Sequence, residues 1–157
     1  MEDVFSIDYQ QLFDKGCRGL IFDIDNTLVP HGADSTPEID DLFSRLHGIG
    51  FKTILLSNNS EKRIRRFMKN IDTLFVAEAG KPDPDGFLRA LDLLGCTKEE
   101  VVVVGDQVFT DIRGANRAGL RSILVKYIGH EKREWKGFHR YLEQLILLFY
   151  PRSRRIV

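Results

Sequence analysis

Asp23 and Asp25 stand one residue apart in the stretch Arg-Gly-Leu-Ile-Phe-Asp-Ile-Asp-Asn-Thr-Leu, residues 18–28. Two neighbouring carboxylates repel each other and lose hydration on burial, so they need a shared proton or a cation. The run before them, residues 19–22, is apolar and rich in strand formers, which predicts a buried strand of a parallel sheet. Side chains alternate along a strand, so Asp23 and Asp25 should point the same way at its carboxyl end. Ligands of open α/β sheets bind at that end. A turn-capping loop would account for one acidic residue there, but not for a matched pair.

Three more polar clusters follow predicted strands. Ser57-Asn58-Asn59 opens a helix, where a hydroxyl and free backbone N–H groups form an anion site. Alone, this cluster reads more simply as an N-cap. Lys81 sits in a loop fixed by Pro82 and Pro84, and alone it reads as a solvated surface lysine. Gly105-Asp106-Gln107, with Thr110-Asp111 close behind, ends a run of four valines. A carboxylate leaving a fully apolar strand favours a site over a cap. The convergence of all four clusters on one sheet edge decides the matter.

The elements that must position these residues alternate along the chain. A short helix is predicted over residues 7–15, then the first strand and a loop over residues 29–36. A helix with Ile39, Leu42, Phe43, Leu46 and Ile49 on one face follows, stopped by Gly50. Residues 51–56 read as a second strand, 61–70 as a basic helix and 73–76 as a third strand. A helix through Leu94, a strand over 101–104, a helix over 110–118 and a strand over 122–125 complete the core. A last helix is expected over 138–150. Strands and helices alternating at short spacing predict an α/β fold, a five-stranded parallel sheet with helices on both faces. The 157 residues are expected to form a single domain.

Composition is that of an ordinary soluble protein, 43% hydrophobic and 29% charged, with formal net charge zero. From Lys126 onward, however, eight basic residues face three acidic ones, so a +5 tail follows a −5 body. Such a tail suggests an anionic partner. Cys17 and Cys96 have no metal or redox spacing, which suggests a reduced, cytoplasmic setting. The acidic N-terminus lacks the apolar core of a signal peptide, and no apolar run is long enough to span a bilayer. The four histidines are scattered, against a zinc site. The basic helix over 61–70 reads as a solvated face, and no nucleic-acid partner is expected.

Asp23-Ile24-Asp25-Asn26-Thr27, Ser57, Lys81 and Gly105-Asp106 with Asp111 resemble, in order, the four signature motifs of the haloacid dehalogenase superfamily phosphatases. The resemblance covers roughly residues 18–125. The segments Asp-Ile-Asp-Asn-Thr-Leu-Val-Pro, Leu-Leu-Ser-Asn-Asn, Lys-Pro and Gly-Asp-Gln-Val-Phe-Thr-Asp resemble more closely the capless IIIA-type branch, which includes YqeG-type proteins and phosphatidylglycerophosphate phosphatases. The resemblance implies a Rossmann-like three-layer fold without a cap domain. Each interval, Asp25 to Ser57 and Ser57 to Lys81, holds only one predicted helix and strand, which leaves no room for a cap.

The resemblance also implies roles. Asp23 would be the nucleophile that forms an aspartyl-phosphate, and Asp25 the general acid and base. Ser57 and the Asn58 amide, with Thr27 also on the substrate side, would bind the phosphoryl group, and Lys81 would neutralise it. Mg²⁺ would be held by Asp23, Asp106 and the Asp25 backbone carbonyl, with Asp111 orienting a metal water or Lys81. The implied substrate is a phosphate ester, phosphatidylglycerophosphate first among candidates. A small soluble ester or nucleotide is the alternative, and a non-catalytic binding module a third. The C-terminal segment, residues 126–157, carries Trp135 and a predicted helix with basic flanks. It reads as a core-packing helix or as a peripheral membrane contact on anionic lipid.

Overall fold

The computed structural model describes residues 1–128. The expected helix over 138–150 and most of the basic tail lie outside the described residues. Five parallel strands form one sheet: β1 (Gly19–Phe22), β2 (Lys52–Leu56), β3 (Leu74–Val76), β4 (Val101–Gly105) and β5 (Arg121–Leu124), in the order β3-β2-β1-β4-β5.

Past Lys52, the central strands β1, β2 and β4 are short runs buried on both faces, and their alternation divides them between two cores. Leu20, Phe22, Val102 and Val104 face α2 (Pro37–Ile49) and α3 (Glu61–Phe67), packing on Ile39, Phe43, Leu46, Ile64 and Phe67. Ile21, Ile54, Val101 and Val103 face α4 (Pro84–Leu94) and α5 (Arg113–Ala118), packing on Phe87, Ala90, Leu94, Ala115 and Ala118. Each fully buried Leu, Ile or Phe contributes about 1.5–3 kcal/mol of burial free energy, so both faces are held by many modest terms. The short α1 (Tyr9–Asp14) packs Tyr9 and Phe13 edge-on against Phe51.

Local signals set the helix ends. Thr36 caps α2 through Ile39 N, Pro37 opens its first turn, and Gly50 closes it at φ 110°, a left-handed conformation that suits glycine. α3 stops at Phe67, earlier than the expected Asn70, because a turn from Met68 to Ile71 carries Ile71 back into the core.

The expected helix over 110–118 differs more instructively. Residues Val108–Ile112 form a wide π-type turn, in which Ile112 N donates to Gln107 O at 3.2 Å, and α5 begins only at Arg113. Such widened turns recur at functional sites. Here the turn brings Asp111 back against the strand end, where its Oδ2 accepts from Gln107 N at 3.1 Å.

Register completes the platform. Phe22 pairs with both Leu55 and Val104, so the chain leaves β1, β2 and β4 at one level. Asp23, Ser57 and Asp106 therefore emerge together. Gly105 makes the last approach possible, since a Cβ there would lie 2.5 Å from Asp111 Cβ and Cγ. Gly105→Ala should displace Asp111 and destabilise the fold by about 1–3 kcal/mol, read by urea unfolding; an unchanged midpoint would refute the close contact.

Candidate active site

Lys81 is buried at the centre of the site. Its ammonium donates to Asp23 Oδ1 at 2.5 Å, to Asp111 Oδ1 at 2.7 Å and to the Leu56 carbonyl at 3.1 Å. Its side chain is 4% exposed and that of Asp23 12%, so the pair is screened far less than a surface pair. Burial works against the Lys81 charge, but Asp23 and Asp111 outweigh it and hold the ammonium above the usual lysine range. Burial also lifts the Asp23 carboxyl from its ordinary 3.8 to about 6, with Asp111 adding to the rise and Lys81 opposing it.

Thr27 ties the first and fourth motifs together. Its hydroxyl lies 3.1 Å from Asp23 Oδ2 and 3.2 Å from Asp106 Oδ1, with one proton to share between two carboxylates. Thr27 is wholly buried and braces the two carboxylates. The loop that carries it turns at Asn26, whose φ of 69° is in the left-handed region that Asn tolerates.

Asp23, Asp106 and Asp111 each offer a carboxylate oxygen, all within 4.8 Å of one another. When all three are ionised, Lys81 offsets one charge and two remain, which suits a divalent cation with a preference for oxygen ligands. Asp111 is the third carboxylate of this group, beside the two expected ones of Asp23 and Asp106. The Asp25 side chain is engaged elsewhere. Asp111 has one oxygen on Lys81 and the other on the Gln107 amide, as a residue that orients the lysine.

Asp25 Oδ1 accepts from Gly32 N at 2.7 Å and from Arg63 Nη2 at 3.0 Å, and Oδ2 accepts from Asn59 Nδ2. The same Asn59 amide reaches Ser57 Oγ at 3.1 Å. Ser57 Oγ also accepts from Asn59 N at 3.2 Å, so its own proton faces no described partner. The Asn58 side chain clasps the backbone of Lys81 in both directions, at 2.8 and 3.2 Å, leaving its backbone N–H as the donor toward an anion. Asn59 and Arg63 were missed from sequence. Asn59 lay inside a cluster already singled out, and Arg63 was hidden in a helix read as a solvated face.

The chain is similar to known proteins along most of its length. A family of haloacid dehalogenase-like hydrolases matches residues 31–119. The chain is 33% identical over 157 residues to "Probable phosphatase YqeG" of Bacillus subtilis, covering 99% of this chain and 91% of that one. It is 28% identical over 137 residues to "Phosphatidylglycerophosphate phosphatase 1, chloroplastic/mitochondrial" of Arabidopsis thaliana, covering 80% of this chain but 39% of the plant protein. Among solved structures, the cobalt-bound form of a deoxy-D-mannose-octulosonate 8-phosphate phosphatase from Haemophilus influenzae superposes with a TM-score of 0.58. That match is 17% identical and covers 85% of this chain and 89% of the other, a likeness of fold. On the matched residues and the full-length similarity, the chain belongs to the haloacid dehalogenase-like hydrolases and is a phosphatase of that family.

Proposed function

We propose that the chain is a Mg²⁺-dependent phosphomonoesterase working through an aspartyl-phosphate on Asp23. The observation that carries this reading is the buried Lys81 joined to Asp23 and Asp111, beside Asp106. An Asp23 oxygen attacks phosphorus and the bond to the leaving oxygen breaks, with the Asp25 carboxyl giving that oxygen its proton. Asp25, now ionised, takes a proton from water, whose oxygen attacks phosphorus and releases Asp23 and inorganic phosphate. Ser57, the Asn58 N–H and Lys81 hold the phosphoryl oxygens throughout. Asp23, Asp106 and the Asp25 carbonyl would hold the cation, which offsets the charge that an anionic ester brings to a carboxylate nucleophile.

The substrate reading is phosphatidylglycerophosphate. It is supported by the name of the Arabidopsis relative and by the single helix in each crossover that follows β1 and β2. An apolar groove of about 410 Å³, lined by Val108, Phe109, Ile112, Arg113, Asn116 and Arg117, adds to that support. Arg117 donates to the Pro82 carbonyl, so the groove adjoins the Lys81 loop. No helix of the described residues is long and apolar enough to cross a membrane, so such a lipid would be met at a surface.

Phosphate release with Mg²⁺ should be measured on phosphatidylglycerophosphate in mixed micelles and on a panel of soluble esters. Release from the lipid is expected to dominate and to vanish in Asp23→Asn; release confined to soluble esters would overturn the lipid reading. Ser57→Ala should lower kcat about 10²–10³-fold, as loss of a donor to the phosphoryl oxygens does, and a loss under threefold (about 0.7 kcal/mol) would remove that role.

The raised Asp23 carboxyl gives a further check. The folded metal-free protein binds this proton more tightly than the unfolded chain does. The group therefore favours the fold below its ordinary 3.8, and that contribution fades as pH rises through about 6. Cation binding displaces the proton, so the rise in Tm on adding Mg²⁺ should grow between about pH 5 and about pH 7. A rise of the same size at both would argue against Asp23 as part of the cation's seat.

A further inference from the structure

Arg63 is built into α3 in a way that a solvated helix face does not require. Its side chain is 12% exposed, and Nη2 donates both to Asp25 Oδ1 at 3.0 Å and to the Ala33 carbonyl at 2.7 Å. Its Nε and Nη1 are buried without a hydrogen-bond partner, and the guanidinium lies 5.8 Å from the Phe67 ring centroid. Unpaired buried donors on a charged group are costly. An apolar side chain over Phe67 would hold this helix without that cost. The contact that offsets it is the one to Asp25.

The remaining partners of Asp25 come from other segments. Gly32 N shares Oδ1 with Arg63, and Asn59, at the approach to α3, takes Oδ2. The exposed His31 ring stands 3.8 Å from Oδ1. The loop that supplies Gly32 is itself held by α3. Arg63 grips Ala33, while Arg66 donates to the Gly32 carbonyl at 2.6 Å and pairs with Asp34 at 2.6 Å. Both oxygens of Asp25 are therefore fixed by three donors, and Arg63 is the one that links the carboxylate, the loop and the helix.

We infer that Arg63 is the positioning residue for Asp25, fixing the carboxyl so that it can pass its proton to the leaving oxygen. The inference rests on the reading of Asp25 as acid and base. A planar fork suits this task better than a lysine, because it reaches the carboxylate and the loop carbonyl together in one orientation. Arg63 touches neither phosphorus nor the leaving group, so its effect should follow the demand for a proton.

Phenyl phosphate and p-nitrophenyl phosphate separate the cases, since they differ chiefly in how much the leaving oxygen needs protonation. Wild type, Arg63→Met, Arg63→Lys, Asp25→Asn and the Met/Asn double variant should be assayed on both, with Tm recorded. Arg63→Met is expected to lower kcat/KM, which reports the step that breaks the bond to the leaving oxygen, about tenfold more on phenyl phosphate than on p-nitrophenyl phosphate. Arg63→Lys should recover part of that difference, and in the Asp25→Asn background the selective loss should disappear. Equal losses from Arg63→Met on both esters, with Asp25→Asn selective, would overturn the proposal alone. Equal losses from Asp25→Asn would overturn the acid–base reading, and the proposal with it.

Discussion

A single buried ammonium organises the centre of this molecule. Lys81 joins the first motif to the fourth by bonding Asp23 and Asp111, and it fastens both to the end of β2 through the Leu56 carbonyl. Carboxylates this close would repel one another into protonation or apart without it. One lysine among three carboxylates still leaves the cluster short of positive charge. A cation is the group that would supply the missing charge.

The rest of the site serves this centre through backbone held in place. The Asn58 side chain sets the Lys81 loop, Thr27 spaces Asp23 from Asp106, and the wide turn after Gln107 swings Asp111 inward. None of these side chains needs to meet a substrate to matter. Asp25 belongs to a separate network built from the Gly32 amide, Asn59 and Arg63, joined to the first through Asn59 and Ser57. The cluster around Lys81 and the network around Asp25 are thus two hydrogen-bonded groups that share one bridge.

Much of this was legible in the residues. An apolar run followed by paired aspartates, the valine run ending in Gly105-Asp106 and the helix stops at Gly50 and Gly95 each carry a local signal, and the sheet follows from them. Period-two and period-3.6 patterns state which faces are buried, but not where a buried polar side chain turns. That is why the patterns did not show the brace that Thr27 makes or the network around Asp25. Both positions depend on contacts across 79 and 38 residues, to Asp106 and Arg63. Arg63 was illegible for the same reason, since a basic residue in a basic helix shows its burial only once Phe67 and the loop around Gly32 close over it. The π-type turn left no trace either, because widening a helix by one residue needs no unusual sequence.

The depth of the centre limits what can reach it. Asp23 retains 12% of its side-chain exposure and Lys81 4%, so a phosphorus atom must come down to them on a protruding group. A terminal phosphoryl group on a single ester bond can do this, whereas a phosphorus flanked by two bulky esters is held away by its own substituents. On the proposed reading, little of the remaining substrate would touch the centre, and discrimination would fall to the surrounding surface. On one side lies the loop over 30–34, gripped by Arg63 and Arg66; on the other lie Arg117 and the apolar groove beside Phe109. A site with a fixed floor and short walls can keep its chemistry while the walls vary. Substrate identity in such a protein is written in those walls, not in the four motifs beneath them.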